Sequence, residues 1–504
     1  DMERNGTYTG LGNHFFRSRD GMIWISTRGY GMNTFDPLTL PFNAHKGTIN
    51  AALFGREIAA FDRYIRARTG GFTGLATGAY PIRVESGSVW CGTRDHGLLY
   101  YDAANARVQQ FGVVPDDPYS GMMIRLQRPF VDRRGRVWVG NRYGISRLEQ
   151  PSGVWHHYWY DGEHPDLTNT DDHVTCYYED DHGSFWLGTM MRGLAHFSPE
   201  SGQFTFFGYD RSDPLSISRN HVLTIEVDPL HPQRYLWVGT DGRGLNRFDL
   251  SGHIFESFDE RSGLPSPVVY GLLTDAAGYI WMSTNEGIVR MDPRTRLFRQ
   301  FEMRDGLQGN EFNRTEYYRV GDSLHFGGTR GYNSFLPASI RDNEIVPNVM
   351  LTSLRLFNTP VTIGSPESPL DEAMPYAQSI TLSHDQNMIS IEFAALDYHA
   401  PDRNCYRYML EGLSGGWIEA GTDRVATFTN LDPGEYEFHV VGSNNHGVWN
   451  SEGARLRIII LPPWWWTTWA FIAYALIIIG TLVLVDRLQK KRLIARERER
   501  SQLR

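Results

Sequence analysis

Cysteine is scarce in this chain of 504 residues, which contains only three. Cys91 and Cys176 fall on predicted strands of different repeats, and Cys405 lies in another predicted domain. A structural disulfide or a zinc site needs several cysteines that the fold brings together. The sequence therefore predicts neither a disulfide nor a cysteine-based metal site.

Positive charge is also in short supply, because 49 basic side chains stand against 58 acidic ones and give a net charge of −9. Proteins that bind nucleic acid usually carry a basic surface that neutralises phosphates. We therefore expect no nucleic-acid partner for this region. A starting methionine and a signal peptide are absent too, which indicates processing or a longer parent protein.

Catalytic motifs are missing as well. The sequence contains no glycine-rich phosphate loop, no nucleophile elbow and no acid–base set above background. In the densest polar run, 155–161 (WHHYWYD), His156 and His157 should point to opposite faces of an outer strand and cannot share a metal. The acidic runs at 171–172 and 179–181 fit turn formation better than a calcium site. We predict no catalytic residue, no cofactor and no metal, and leave enzyme activity open.

One phrase recurs seven times: an aromatic residue, then Gly-Thr or a near match, then a Gly-led second strand. The aromatic anchors are Trp24, Trp90, Trp138, Trp186, Trp237, Trp281 and Phe326. A period of about 45 residues with one aromatic anchor is typical of a β-propeller, whose blades must stack to bury their apolar faces. We therefore predict an all-β fold with a seven-bladed β-propeller at residues 1–340. Ring closure stays open, because the strands before Trp24 must fit into residues 1–23.

The gap between the first two anchors is longer than the others. Residues 42–80 exceed a normal blade by about twenty residues and include a helix-like stretch at 51–68. We interpret them as an insertion on one face of the propeller.

Two further segments follow the repeats. Residues 345–461 carry six or seven short alternating strands, which predicts an immunoglobulin-like β-sandwich. Residues 466–485 carry no charge, match the thickness of a bilayer core and have tryptophans at one end and basic residues at the other. We predict a transmembrane helix at 464–485, against the alternative of a buried core helix. The positive-inside rule makes 486–504 a cytoplasmic helix.

In this order the chain resembles the sensor region of bacterial propeller-type two-component regulators with a Y_Y_Y domain. The resemblance rests on the repeats, such as 181–189 (DHGSFWLGT), and on 406–412 (YRYMLEG), 431–436 (LDPGEY) and 462–465 (PPWW). It implies a single-pass inner-membrane protein with a periplasmic propeller and sandwich, a homodimer, and a cytoplasmic output module such as a histidine kinase. Many such receptors sense glycans. Two departures matter: many of them have two propellers, and the output module would lie beyond Arg504.

Arginine occupies the hairpin after the second strand in six of the seven repeats. These arginines are Arg28, Arg94, Arg142, Arg192, Arg243 and Arg330. Such hairpins emerge on one face of a propeller, and the planar guanidinium group suits carboxylate, sulfate or phosphate. We therefore predict an anion-binding rim for an acidic or sulfated oligosaccharide. The alternative is that these side chains pair with loop acids such as Asp95 and Asp241, or face water.

Three functions stay open at this point. We favour a membrane-anchored sensor that binds an extracellular ligand, a small molecule or more specifically an oligosaccharide, on the propeller and relays binding through the sandwich and the membrane helix. A membrane-tethered propeller enzyme acting on polysaccharide and an adhesion or scaffold protein are the alternatives, since propellers serve all three functions. The series of sandwich, membrane helix and basic helix favours signalling.

Overall fold

A computed structural model describes residues 12–27, 31–35, 42–69, 79–84, 86–112, 126, 128–150, 152–162, 172–364, 368–413 and 415–502. The chain divides into two compact units. One consists of residues 39–341, and the other combines residues 1–38 with residues 342–504.

The first three strands belong to the second of these units. They are β1 (Gly12–Arg17), β2 (Ile23–Thr27) and β3 (Gly31–Phe35), and they form an antiparallel sheet in that order. The sequence predicts a fourth strand for this repeat. The next strand, β4 (Asn43–His45), instead pairs with the last repeat of the other unit. The first repeat therefore differs from the expected four-stranded blade.

Residues 39–341 form the propeller unit, whose described part holds one α-helix and six four-stranded antiparallel sheets. The helix is α1 (Ile49–Thr69), where the sequence predicts a helix at 51–68. The first three sheets are β5–β8 (Ala79–Arg83, Val89–Thr93, Leu98–Asp102, Arg107–Phe111), β9–β12 (Phe130–Val131, Val137–Gly140, Gly144–Glu149, Val154–Trp159) and β13–β16 (Val174–Glu179, Phe185–Thr189, Leu194–Ser198, Gln203–Phe207). The next two are β17–β20 (Val222–Val227, Tyr235–Thr240, Leu245–Asp249, Ile254–Phe258) and β21–β24 (Val269–Thr274, Ile280–Thr284, Gly287–Asp292, Leu297–Phe301). The last sheet contains β25 (Phe312–Val320), β26 (Ser323–Gly328), β27 (Gly331–Phe335) and β4.

Strand β4 completes the last sheet from the other end of the unit. Tyr332 pairs with His45 and Ser334 with Asn43 across the two strands. A 3-10 turn starts at Pro337, directly after β27, so the chain offers no fourth strand of its own there. Pairing with β4 therefore satisfies an edge that would otherwise expose its backbone groups.

Apolar clusters join each sheet of the propeller unit to the next. Helix α1 packs between the last sheet and the first: Phe54 contacts Tyr318 of β25, and Phe61 packs with the β5–β8 sheet. A side-chain Cβ at Gly140 would collide with Val174 of the next sheet, which explains the glycine of the repeated phrase. The prediction of an all-β propeller is confirmed.

An aspartate side chain fixes the repeated tryptophan in several sheets. In three sheets the indole nitrogen donates a hydrogen bond to an aspartate at the end of the inner strand: Trp138 to Asp132 (2.9 Å), Trp237 to Asp228 (2.9 Å) and Trp281 to Asp275 (2.8 Å). Buried polar groups are nearly always paired in this way.

The other unit contains the predicted sandwich. One sheet consists of β28 (Val349–Leu356), β29 (Thr359–Pro360), β31 (Ile389–Ala395) and β34 (Val425–Phe428). The second consists of β30 (Ser379–Leu382), β32 (Tyr406–Glu411), β33 (Ile418–Gly421), β35 (Gly434–Ser443) and β36 (Trp449–Ile460). Their inner faces bury one apolar core that includes Phe393, Leu410 and Phe438. The predicted β-sandwich is confirmed.

Helix α2 (Thr468–Gln502) follows the sandwich. Its segment Thr468–Arg496 is long and apolar enough to cross a membrane and contains an 18-residue window with a mean hydropathy of 2.3. The apolar side chains of this segment, such as Leu476 and Ile478, are exposed, which argues against the alternative of a buried core helix. The helix therefore has the length, composition and exposure predicted for a single membrane span.

Candidate functional site

A cavity of about 600 Å³ opens in the propeller unit where inner strands begin. We call it the funnel. Its main polar side chains are Asn50, Tyr80, His173, His221, Arg314 and Glu316. His173 and His221 each stand one residue before an inner strand, β13 and β17. Met190, from the hairpin after β14, also lines the funnel, so a hairpin of the predicted rim lies on this face.

Arg314, Asp241 and His221 form a charged group at the funnel. An Arg314 nitrogen lies 2.8 Å from Oδ2 of Asp241, and Nδ1 of His221 lies 3.0 Å from the same oxygen. Burial and the Arg314 charge lower the pKa of His221, which Asp241 partly opposes. The imidazole is therefore neutral at pH 7, and Arg314, about half exposed, carries the positive charge.

Glu316 supplies an acidic group to the same cavity. Burial raises the pKa of its carboxyl, against a hydrogen bond from Asn313 (3.0 Å) and the charge of Arg128. Burial also raises the pKa of the Tyr80 hydroxyl, and Glu316 adds to this effect. The described lining of the funnel thus combines the Arg314 cation with a carboxyl group whose pKa burial raises and with neutral hydrogen-bonding groups, which suits a polar ligand.

The partly buried side chain of Arg128 connects the start of β9 to strand β25. It donates a hydrogen bond to the Thr315 carbonyl and lies 4.5 Å from the centre of the Tyr318 ring. Burial raises the pKa of Tyr317 to about 12. Arg128 therefore fixes the strand that carries Arg314 and Glu316.

The six arginines of the predicted rim have different surroundings. Arg28 lies outside the described residues. Arg192 is held in place, because two of its nitrogens lie 2.7 Å from the Asp161 carboxylate and a third lies 3.0 Å from Asp172. Arg94, Arg243 and Arg330 are exposed, and Arg142 is partly buried.

None of the five described arginines lines the funnel. The charge of Arg94 nevertheless lowers the pKa of Tyr80, so it reaches the cavity electrostatically. Asp241, considered above as a partner of the rim, pairs with Arg314 instead. The rim as an anion-binding site stays a prediction.

The sequence analysis missed Arg314, His221 and Glu316. A signal for the histidines exists, since His173-Val174 and His221-Val222 stand at the same place in successive repeats. Residues at these positions directly precede an inner strand and line the funnel. Arg314 has no comparable signal, because the register of β25 shifts between Phe312 and Tyr317.

One side-chain group in the described part of the chain could hold a metal ion: Asp20, Asp397 and His399, whose donor atoms lie within 4.8 Å of one another. The sequence predicts no metal. Protein groups already use these carboxylates, since Asn343 donates to Asp397 (2.8 Å) and the Tyr398 amide donates to Asp20 (2.7 Å). Although burial opposes it, the hydrogen bond from His399 lowers the pKa of Asp397. The arrangement is accounted for as a hydrogen-bond network.

Comparison with known proteins places a Y_Y_Y domain at residues 397–461, in the sandwich. The chain is 28% identical over 423 residues to Histidine kinase P4 of Formosa agariphila, a match that covers 83% of this chain and 27% of that protein. The chain thus spans about a quarter of the length of this relative. The resemblance to the sensor region of a two-component regulator is confirmed.

Solved structures match most of the chain. The extracellular domain of a protein assigned as the hybrid two-component system BT3049 of B. thetaiotaomicron is 20% identical, with a TM-score of 0.41 over 90% of this chain and 62% of that one. PorZ, a surface component of the type-IX secretion system of Porphyromonas gingivalis, is 13% identical, with a TM-score of 0.42 over 90% of this chain and 57% of that one.

Proposed function

We propose that this chain is the sensor region of a transmembrane signalling receptor. The observation that carries the proposal is the series along the chain: a propeller unit with a polar funnel, a Y_Y_Y domain, and an exposed apolar helix followed by basic side chains. The similarity to Histidine kinase P4 over 83% of this chain supports a histidine kinase as the output module.

The ligand in this proposal is an oligosaccharide that binds at the funnel face, with an anionic one favoured. Arg314 offers a half-exposed guanidinium group to a carboxylate or sulfate, and the exposed Arg94 adds positive charge near Tyr80. Asn50, Tyr80 and His221 supply hydrogen-bonding partners for sugar hydroxyls. Anion and hydroxyl recognition would therefore be combined in one cavity.

In this proposal, helix α2 carries the signal across the membrane. Basic residues such as Arg487, Lys490 and Arg492 follow the apolar span. By the positive-inside rule they support a cytoplasmic location for that end and a periplasmic location for the propeller and sandwich. In a homodimer, ligand binding would shift the equilibrium between two arrangements of the paired sandwiches and membrane helices.

The test is calorimetric titration of the chain in lipid nanodiscs with uronate-containing and sulfated oligosaccharides and with their neutral counterparts. We expect the anionic probes to bind and the affinity to fall as salt rises. Arg314→Ala should weaken binding, and the combined Arg94, Arg142 and Arg192 alanine variant should abolish it. Arg261→Ala, an exposed arginine outside the funnel lining, is the matched control. Unchanged affinity and salt dependence in both funnel-face variants would contradict the proposed site.

A second candidate function is an enzyme that acts on polysaccharide. It is favoured by the shared lining of Glu316, whose pKa is raised by burial, and His221, whose pKa is lowered by burial, since such pairs can act as acid and base. Turnover of a polysaccharide by the chain, lost in Glu316→Gln, would establish this alternative. Binding without turnover would leave the sensor as the function.

A further inference from the structure

A second cavity, of about 610 Å³, lies between the β13–β16 and β17–β20 sheets. We call it the tryptophan cleft and define it by Asp180, His182, Trp186, His196, Phe207 and His253. His173 of the funnel directly precedes strand β13, and Asp180 of this cleft directly follows it. The two cavities therefore lie at opposite ends of the same inner strand and are separate sites.

The β13–β16 sheet, which borders the cleft, lacks one hydrogen bond that its sister sheets, β9–β12 and β21–β24, contain. Asp180 precedes Trp186 by the same number of residues as Asp132 precedes Trp138 and Asp275 precedes Trp281. In the sister sheets the indole nitrogen donates to that aspartate. Within the described part of the chain, Nε1 of Trp186 donates no hydrogen bond, although this residue is only 5% exposed.

The Asp180 carboxylate is used elsewhere. Its Oδ1 accepts hydrogen bonds from the amides of His182 (2.9 Å) and Ser184 (3.0 Å), as in the sister turns. Its Oδ2 lies 4.0 Å from Nε2 of His196. The His196 ring in turn packs against the Trp186 indole, with 4.6 Å between the ring centres. A buried donor and a carboxylate oxygen thus both border the cavity without bonding to each other.

The lining restricts what could pair with these groups. Asp180 repels an anion, whereas Asp181 pairs with Arg133 at 3.0 Å, and none of the described lining residues is lysine or arginine. Burial lowers the pKa of His196, against the pull of Asp180, so the imidazole is neutral at pH 7. A metal ion could not accept the indole hydrogen bond. A hydroxyl group can accept from the indole and donate to a carboxylate at the same time.

We propose that the tryptophan cleft binds a neutral polyhydroxylated ligand, a saccharide unit whose hydroxyls join Nε1 of Trp186 to Oδ2 of Asp180. The rings of Phe207 and His253, with 5.2 Å between their centres, provide the apolar surface that the C–H face of a sugar contacts. This site goes beyond the proposed function, because it takes an uncharged ligand and lies away from the funnel.

The experiment measures binding of glucose, galactose, mannose and xylose to the full chain in nanodiscs by ligand-observed NMR. Trp186→Phe keeps an aromatic ring and removes the indole donor, so we expect affinity for the sugar that binds to fall about fivefold, as for one lost hydrogen bond. Asp180→Asn, which keeps an acceptor for the turn amides, should also weaken binding. Arg314→Ala, in the funnel, should leave it unchanged.

Trp138→Phe is the matched control for the fold. It removes an indole that does have a partner, so it should lower the melting temperature and leave sugar binding intact. Trp186→Phe should lower the melting temperature less. The proposal is overturned if none of the four sugars binds the unmodified chain or if Trp186→Phe binds sugar as tightly as the unmodified chain. Loss of binding in Arg314→Ala, or equal melting losses in Trp186→Phe and Trp138→Phe, would overturn it too.

Discussion

Replacing Asp275 with alanine should destabilise the propeller unit more than the same change at Asp180. Both carboxylates hold an inner-strand turn through two amides: Asp275 accepts from Ala277 and Tyr279, each at 2.9 Å. Asp180 accepts from the corresponding two amides of its own turn. The two variants therefore lose the same turn bonds.

The two variants differ in whether a tryptophan indole also loses its hydrogen-bond acceptor. Trp281 is fully buried and donates to Asp275 at 2.8 Å, whereas Trp186 makes no such bond to Asp180. Hydrogen bonds to charged groups contribute about 1.5–3 kcal/mol, and a buried donor left alone costs a similar amount. Asp275→Ala should therefore lose about 1.5–3 kcal/mol more free energy of unfolding than Asp180→Ala.

Urea unfolding of the two variants, followed by tryptophan fluorescence, gives this difference from the transition midpoints and slopes. Trp281→Phe in the Asp275→Ala background serves as the control, because it removes the stranded donor and should recover part of the loss. Equal losses in Asp275→Ala and Asp180→Ala would refute the reasoning, since they would mean that the indole bond contributes nothing.

Three further predictions concern ionisation and the membrane. Removing the positive charge in Arg314→Ala should raise the pKa of His221, measured by NMR titration; an unchanged or lower pKa would contradict the charged group at the funnel. Burial raises the pKa of Glu226 from 4.5 to about 7, so the folded chain keeps a proton that the unfolded chain releases at lower pH. Stability should therefore fall as pH rises from about 4.5 to about 7. Glu226→Gln should flatten this part of the melting profile, and an unaltered slope would assign it to other groups. Ile478→Arg places a charge in the apolar span and should cost about 2.5–3.5 kcal/mol of insertion free energy; alkaline extraction of membranes should then release more of the variant, and Lys490→Arg is the neutral control.

The sequence could predict most strands, because each repeat carries its own aromatic anchor and its own turn glycine. Strand β14 (Phe185–Thr189) contains the anchor Trp186 and the following Gly-Thr, and the predicted helix at 51–68 differs from α1 by two residues at its start and one at its end. Such features are local, so a single repeat is sufficient to recognise them.

The pairing of β4 with β27 could not be predicted in the same way. Strand β4 is three residues long, and its partner is far away in the sequence, so neither its hydrophobic pattern nor a turn identifies the pairing. The prediction of four strands for the first repeat therefore did not anticipate that β4 belongs to the last sheet.

The funnel illustrates a second limit. Alternation along a strand predicts which side chains share a face, but β25 contains a register shift, and Thr315 has a left-handed backbone with φ of 59°. An irregularity of this kind redirects the side chains on either side of it. Regular alternation along β25 therefore does not predict that Arg314 and Glu316 both line the funnel. The described arginines that were predicted from the hairpins do not line it.

The pairing of β4 with β27 also has a consequence for the order of events during synthesis. Nε2 of His45 bonds to Oγ of Ser334 at 2.8 Å across 289 residues of chain. The last sheet therefore cannot acquire its outer strand until nearly the whole unit has left the ribosome, and the early segment that contains β4 must wait unpaired. Closing so long a loop costs conformational entropy before the contacts between the two strands can form and stabilise the sheet. We therefore expect assembly of the final sheet to be the slow step in forming the propeller. In unfinished chains, the unpaired strand β4 is where incorrect pairing with another strand is expected.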